Sequence, residues 1–285
     1  MSPTFENKLK SWFLSTLVTY SVVVTAIGLF MLATERGSIS IWIAVTVASG
    51  QVAFYFAWLY LANVPRTSPG LAGFSIGIFV ATLYSVYTSY AQQIASAAPL
   101  LAFISLSGWL AYVAWYSDIG DRSKDKVKVG KKLPNIPLED YDGNKLESSD
   151  WEGEKRLVIF YRGNWCPICT AQVNELKKFE QQFNDLEVKI ALISPQSHEK
   201  SRSHAKKVGM DYDFLVDVNN EAAKKLGILH VAGTPKGFEV LGFESDVPKP
   251  TTFVINEKGK VVYADLTSNY RVRPRPEDII AALKA

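Results

Sequence analysis

Two patterns of apolar and polar positions divide the chain. Up to about residue 117 the apolar residues run nearly unbroken: 24 uncharged residues separate Lys10 from Glu35, 29 separate Arg36 from Arg66, and 51 separate Arg66 from Asp118. A bilayer core takes roughly 20 apolar residues per helix, so the first two stretches hold one span each and the third holds two. The predicted spans cover about 12–33, 39–62, 71–90 and 100–116, with a loop at 63–70 and a small, polar break at 92–99. Beyond residue 127 the pattern shortens to that of a water-soluble α/β domain. A hairpin is expected over 133–146, with Asp142 and Gly143 at its turn. Strands follow at 157–161, 188–193, 214–216, 252–255 and 261–264. Between and after them, helical spacing covers 166–183, 197–208, 220–226 and 276–284. Alternating strands and helices that end in a hairpin and a helix predict a mixed sheet covered on both faces. The expected fold class is an all-α four-helix transmembrane region (1–117), a basic juxtamembrane linker (118–132), and an α/β domain over 127–285.

Mean hydropathy is only +0.04 because these halves cancel. Trp12, Trp58, Tyr60, Tyr87, Tyr90, Trp115 and Tyr116 gather near span ends, as an interfacial belt does. Lys8, Lys10, Arg66 and the basic residues of 122–132 fall on one side of a four-span topology, and only Arg36 on the other. Basic loops stay inside, so both the N-terminus and the α/β domain are expected in the cytoplasm of a multi-pass cell-membrane protein. The spans lack Asp, Glu, Lys, Arg, His and Cys, which favours an anchor in the lipid bilayer, with homo-oligomer formation possible through close helix packing near Gly70, Gly73 and Gly77. A net charge of +3 gives no support for nucleic-acid binding.

The only two cysteines, Cys166 and Cys169, lie between a strand pattern and a helix pattern in Arg162-Gly-Asn-Trp-Cys-Pro-Ile-Cys169. Gly163 and Asn164 break the strand, and Pro167 suits the first helical position. Cys166 then sits at the helix N-terminus, where unpaired N–H groups and the dipole favour thiolate. A zinc site needs more ligands than this stretch offers, so no metal and no cofactor is expected. Cys-x-x-Cys between strand and helix reads as a thioredoxin-like redox motif.

With those residues in view, the α/β half resembles the alkyl-hydroperoxide-reductase/thiol-specific-antioxidant (AhpC/TSA, peroxiredoxin-like or redoxin) branch of the thioredoxin-fold superfamily. Segments 129–138, 160–169, 193–196 and 249–256 carry the resemblance, which spans nearly all of 129–285. It implies a nucleophilic Cys166, a resolving Cys169, and shielding of the nucleophile by Trp165. It also implies a cis Pro250, followed by Thr251, facing the cysteines, with an ordinary trans turn proline as the alternative reading. Typical members carry Thr or Ser three residues before the attacking cysteine and Pro four residues earlier; here those positions hold Gly163 and Ile159.

Other readings stay open. Trp165 serves equally as a core aromatic, Arg162 either acidifies the thiol or is a surface residue, and 229–247 is either a lid or packing. His198, His204 and His230 read as surface or loop residues, and Arg271, Arg273 and Arg275 as a solvated face. The expected activity is a membrane-anchored, thiol-dependent oxidoreductase that reduces peroxides, lipid hydroperoxides included, and is recharged by a thioredoxin- or glutathione-like donor. The alternatives are a membrane-tethered reductase of protein disulfides and a non-catalytic redox sensor or assembly factor.

Overall fold

A computed structural model describes residues 3–284. The chain divides into two compact units. One comprises Trp12–Ala62 and Ser68–Asp118. The other gathers three pieces: the chain up to Ser11, the connection Asn63–Thr67, and everything from Ile119 onward.

The helices of the first pattern are α1 (Pro3–Ala33), α2 (Ile39–Leu61), α3 (Ala72–Ala91) and α4 (Ala98–Ala111), the last running on through a π-turn at Tyr112–Tyr116. Each is long and apolar enough to cross a membrane. Their buried seams carry small and hydroxyl residues, and the few polar groups find partners: Trp109 Nε1 donates to Ser75 Oγ at 2.9 Å, and the Tyr55 and Tyr112 hydroxyls meet at 3.2 Å. Of the three glycines expected at close packing, Gly77 has a close neighbour and the other two do not. Nothing approaches a Cβ built on Gly70 or Gly73, whereas Gly77 abuts Gln51, Gly28 abuts Thr46 and Gly108 abuts Leu17.

The second unit is thioredoxin-like. Its elements are β1 (Pro137–Asp140), β2 (Lys145–Glu147), β3 (Lys155–Phe160), α5 (Pro167–Leu176), α6 (Glu180–Asp185), β4 (Val188–Ser194), α7 (His198–Val208), β5 (Asp213–Val216), α8 (Glu221–Leu226), β6 (Leu229–His230), β7 (Val247–Pro248), β8 (Thr251–Ile255), β9 (Val261–Asp265) and α9 (Pro276–Lys284). The sheet order is β2-β1-β5-β4-β3-β8-β9, with β3, β4 and β5 parallel and the remaining pairings antiparallel. Strand β3 is central, and five of its six residues are buried, as a strand covered on both faces requires. On one face Val158, Phe160, Ala191, Ile193, Phe253 and Ile255 join Leu226 and Ile228 in a single core.

The segment 118–132 is not a free linker. Val127 is fully buried, Ile119 donates its N–H to Ser268 O at 2.7 Å, and Arg122 is buried in an ion pair with Asp125. Its basic residues misled because hydrophobic positions before and among them, Ile119 and Val127, plug the domain.

Candidate functional site: a buried dithiol at the head of a helix

Strand β3 ends at Phe160, paired with Thr251 of β8, and the chain turns through Arg162–Trp165 into α5. The turn requires Gly163, whose φ of +139° suits no L side chain and whose missing Cβ would lie 2.9 Å from the indole of Trp165. Thr or Ser therefore has no room where the resemblance puts a peroxide-orienting hydroxyl. Cys166 is the N-cap of α5 and Pro167 opens its first turn, as the sequence predicts.

Both sulfurs are buried, at 2% and 1% exposure, and lie 2.7 Å apart. No backbone rearrangement is needed for them to bond. Burial opposes ionisation of Cys169, but the Cys166 S–H, the Arg273 charge, the Arg162 backbone N–H and the Arg162 charge outweigh it and hold this thiol at about 6. Burial, followed by the hydrogen bond to Cys169 and the charge there, pushes Cys166 well up. The pair thus loses one proton readily and the second with difficulty, and the remaining proton lies between the sulfurs.

Arg162 is buried rather than on the surface. Its Nη2 donates to Gly233 O, and its guanidinium lies 5.1 Å from the Trp165 ring centroid and 5.2 Å from that of Tyr270. Trp165 is half-buried and in turn packs on Phe238 at 5.1 Å and Phe243 at 6.4 Å. The segment 229–247 therefore seats an aromatic layer beside the nucleophile turn, while Val240 and Leu241, on the short 3-10 helix Phe238–Leu241, project into solvent. Pro250 and Thr251 stand at the head of β8. The peptide before Pro250 is trans, contrary to the expectation from the resemblance: among the described residues there is no cis peptide. The chain's own contacts fit that form. Lys249 N–H donates to Ile228 O at 2.6 Å, and Arg122 donates to Pro250 O at 3.2 Å and to Thr251 Oγ1 at 2.6 Å.

Several residues read as solvent-facing are interior. His204 is buried against Tyr161, whose hydroxyl meets Nδ1 at 3.2 Å, and His230 is buried with no hydrogen-bond partner at Nδ1. Burial, helped by the Lys207 and Lys177 charges, lowers His204 to about 4; burial together with Arg162, Lys10 and Lys249 lowers His230 to about 3. Arg271 is fully buried and Arg273 nearly so. Arg275, at the same spacing, is exposed, so the spacing alone did not tell which of the three face inward. Gln196 was also missed as an individual residue. It accepts from Asn164 N–H at 2.9 Å and donates to Tyr161 Oη at 3.1 Å, bracing the turn before Cys166.

The AhpC/TSA family matches residues 129–264. The second unit contains an AhpC/TSA domain. The chain is similar to the thiol-disulfide oxidoreductase ResA of Bacillus cereus, with 25% identity over 164 residues that cover 57% of this chain and 81% of that protein. It is also similar to peroxiredoxin Bcp of Bacillus subtilis (strain 168), with 25% identity over 136 residues that cover 48% and 83%. Among solved structures, peroxidoxin BcpB from Mycobacterium tuberculosis aligns with a TM-score of 0.45 and 21% identity over 55% of this chain and 97% of that one. With its AhpC/TSA domain and its dithiol, the protein is a thiol-dependent oxidoreductase.

Proposed function

We propose that this is a membrane-anchored peroxidase that reduces small or lipid hydroperoxides through a Cys166–Cys169 disulfide cycle. The observation that carries this reading is the pair of buried sulfurs 2.7 Å apart beside Arg162 and Arg273. Sulfurs buried this deeply suit a small reacting group, such as the hydroperoxide end of a small or lipid peroxide. A protein disulfide would dock by pairing its backbone near Pro250, where Arg122 and Ile228 already take the main-chain groups. In the cycle, the shared proton passes to Cys169 and the Cys166 thiolate attacks the distal peroxide oxygen. The O–O bond breaks, the alkoxide takes the proton from Cys169 and leaves as the alcohol, and Cys166 becomes a sulfenic acid. Cys169 then attacks that sulfur, water leaves, and an external dithiol of thioredoxin or glutathione type supplies two electrons to restore the pair. Trp165 and its aromatic neighbours keep water from the intermediate. Four helices long and apolar enough to cross a membrane support a bilayer anchor, and the basic-residue count supports a cytoplasmic side for the domain.

The second reading, reduction of protein disulfides, is favoured by Gly163, which leaves no room for the usual hydroxyl, and by the similarity to ResA. Stopped-flow Trp fluorescence of the reduced protein in detergent, mixed with hydrogen peroxide or an organic hydroperoxide, separates the two. Oxidation much faster than that of a free thiol, abolished in Cys166→Ser and arrested at sulfenic acid in Cys169→Ser, supports the peroxidase. A free-thiol rate combined with rapid exchange against a protein disulfide assigns the reductase instead.

A further inference from the structure

Between β6 and β7 the chain forms a closed loop with an apolar crest. At its base, Thr234 N–H donates to Ser245 O at 3.0 Å and Thr234 Oγ1 donates to Glu244 O at 2.7 Å. At its head, Gly237 and Gly242, both at positive φ, bracket the 3-10 turn Phe238–Leu241 and reverse the chain sharply. Gly242 N–H donates to Glu239 O at 2.9 Å, and Glu239 pairs with Lys236 at 3.1 Å, so the head is held in one shape. Phe238 and Phe243 turn inward onto Trp165, whereas Val240 and Leu241 turn outward, 90% and 62% exposed. Beside this crest the Lys200 ammonium lies 4.8 Å from the centre of the Phe243 ring. An exposed Val or Leu is ordinary by itself. What gives this pair meaning is the place where the loop is tied.

Buried Ser11 holds the loop base from both sides: its Oγ donates to Thr234 O at 2.6 Å, and its carbonyl accepts from Lys236 N–H at 3.0 Å. Ser11 is the first residue of the uncharged run that follows Lys10, and Trp12 comes next. In a membrane-spanning helix, the residue at the start of the apolar run, next to an interfacial Trp, lies at headgroup level. Phe5, Leu9 and Trp12, at positions i, i+4 and i+7, share one exposed face of α1, so apolar side chains point outward even before that run begins. The polar layer on each side of a bilayer core is about 5–7 Å thick. Four residues of chain, from Lys236 to Val240, reach at most about 14 Å. A crest tied at the headgroup level is therefore within reach of the acyl boundary.

We propose that Val240 and Leu241 form a lipid-contacting tip, which enters the boundary between headgroups and acyl chains while the Lys200 ammonium stays among the phosphates. Apolar side chains with a flanking lysine are the combination that interfacial elements use. The loop then carries the aromatic shield of the nucleophile turn on one side and lipid on the other. This inference rests on the bilayer-anchor reading and on nothing about the oxidant.

The experiment places a nitroxide on the full-length protein in nanodiscs of phosphatidylcholine and phosphatidylglycerol. Cys166→Ser and Cys169→Ser remove the native thiols, so that only an introduced cysteine takes the label. Electron paramagnetic resonance then compares relaxation by oxygen, which partitions into lipid, with relaxation by a nickel chelate, which stays in water. Labels at Val240→Cys and at Leu241→Cys, tested separately, should show an oxygen-to-nickel ratio several-fold above that of Lys258→Cys, on the exposed turn between β8 and β9. Trp12→Cys reports the bilayer itself. Nickel-dominated signals at 240 and 241 with an oxygen-dominated signal at 12 overturn the tip and leave the anchor standing. Nickel-dominated signals at all three positions overturn the anchor and the tip together. Spin–spin broadening at 240 that vanishes on dilution with unlabelled protein assigns the crest to a second copy of the chain and also overturns the proposal.

Discussion

Replacing Gly163 by Ala should destabilise the protein through two separable effects. The first is backbone strain, since an L-residue held at φ +139° costs on the order of 1–3 kcal/mol. The second is steric. The new Cβ would lie 2.9 Å from Trp165 Cδ1 and Nε1, so the indole must move. Moving it weakens the tilted ring contact with Phe238, worth about 0.5–1.5 kcal/mol, and the contact with the Arg162 guanidinium, worth about 0.5–1. The total is roughly 2–5 kcal/mol, and a β-branched Thr should cost more. Chemical unfolding in detergent, followed by Trp fluorescence, measures the loss. A double-mutant cycle with Trp165→Ala, followed by circular dichroism, separates the parts: without the indole, the Gly163→Ala change should cost only the backbone share, giving a coupling of about 1–2 kcal/mol. A Gly163→Ala loss below about 0.5 kcal/mol, the range of an ordinary surface change, would falsify the account of why this family position lacks its hydroxyl.

Acid should destabilise the AhpC/TSA domain earlier than carboxylate titration alone predicts. His204 and His230 are held neutral, at about 4 and about 3, below their ordinary 6.5. Their contribution is fully present above pH 6.5 and is lost progressively as pH falls from there to the folded values. At about 1.36 kcal/mol per pKa unit, each should cost roughly 2 kcal/mol between pH 7 and 5; an unfolding midpoint flat over that interval refutes it. Asp217 accepts from Ala222 N–H at 2.8 Å and Ala223 N–H at 2.9 Å and so caps α8. Asp217→Ala should lower stability by about 1–2 kcal/mol, read by thermal unfolding, and an unchanged melting temperature would show the cap to be idle.

What was legible in the sequence was what local pattern dictates. The buried run 157–161, the Gly163-Asn164 break and Pro167 located the cysteines at the junction of β3 and α5, and uncharged stretches located four apolar helices. Hidden from it was anything decided by a distant partner. Arg122 reads as one more basic residue until Pro250 and Thr251, well over a hundred positions on, take its guanidinium. His204 and His230 carry no motif, and only the closing of the sheet buries them. Arg66 looks like a topology signal until Glu175 and the Arg273 carbonyl meet it. Long polar side chains are ambiguous for this reason: the same residue suits water or a buried partner, and the neighbours in sequence do not say which. Trp165 was undecided between core and shield because its ring does both jobs, packed at a tilt on Phe238 and with a face toward Arg162.

The redox unit's assembly from three separated pieces of chain has a consequence for its ancestry and its dissection. A module that lies in one continuous stretch can be cut out, moved or fused with little loss. This one cannot. Cutting at residue 129, where the family likeness begins, discards Arg122, whose guanidinium holds Pro250 and Thr251, together with the buried Val127. Even a fragment starting at Ile119 leaves behind Arg66 with its grip on Glu175, and Ser11, whose hydroxyl donates to Thr234 O at 2.6 Å. The thiol unit is therefore written in three separate passages of the sequence, and a cut that follows sequence alone leaves residues of that unit without the partners they hold.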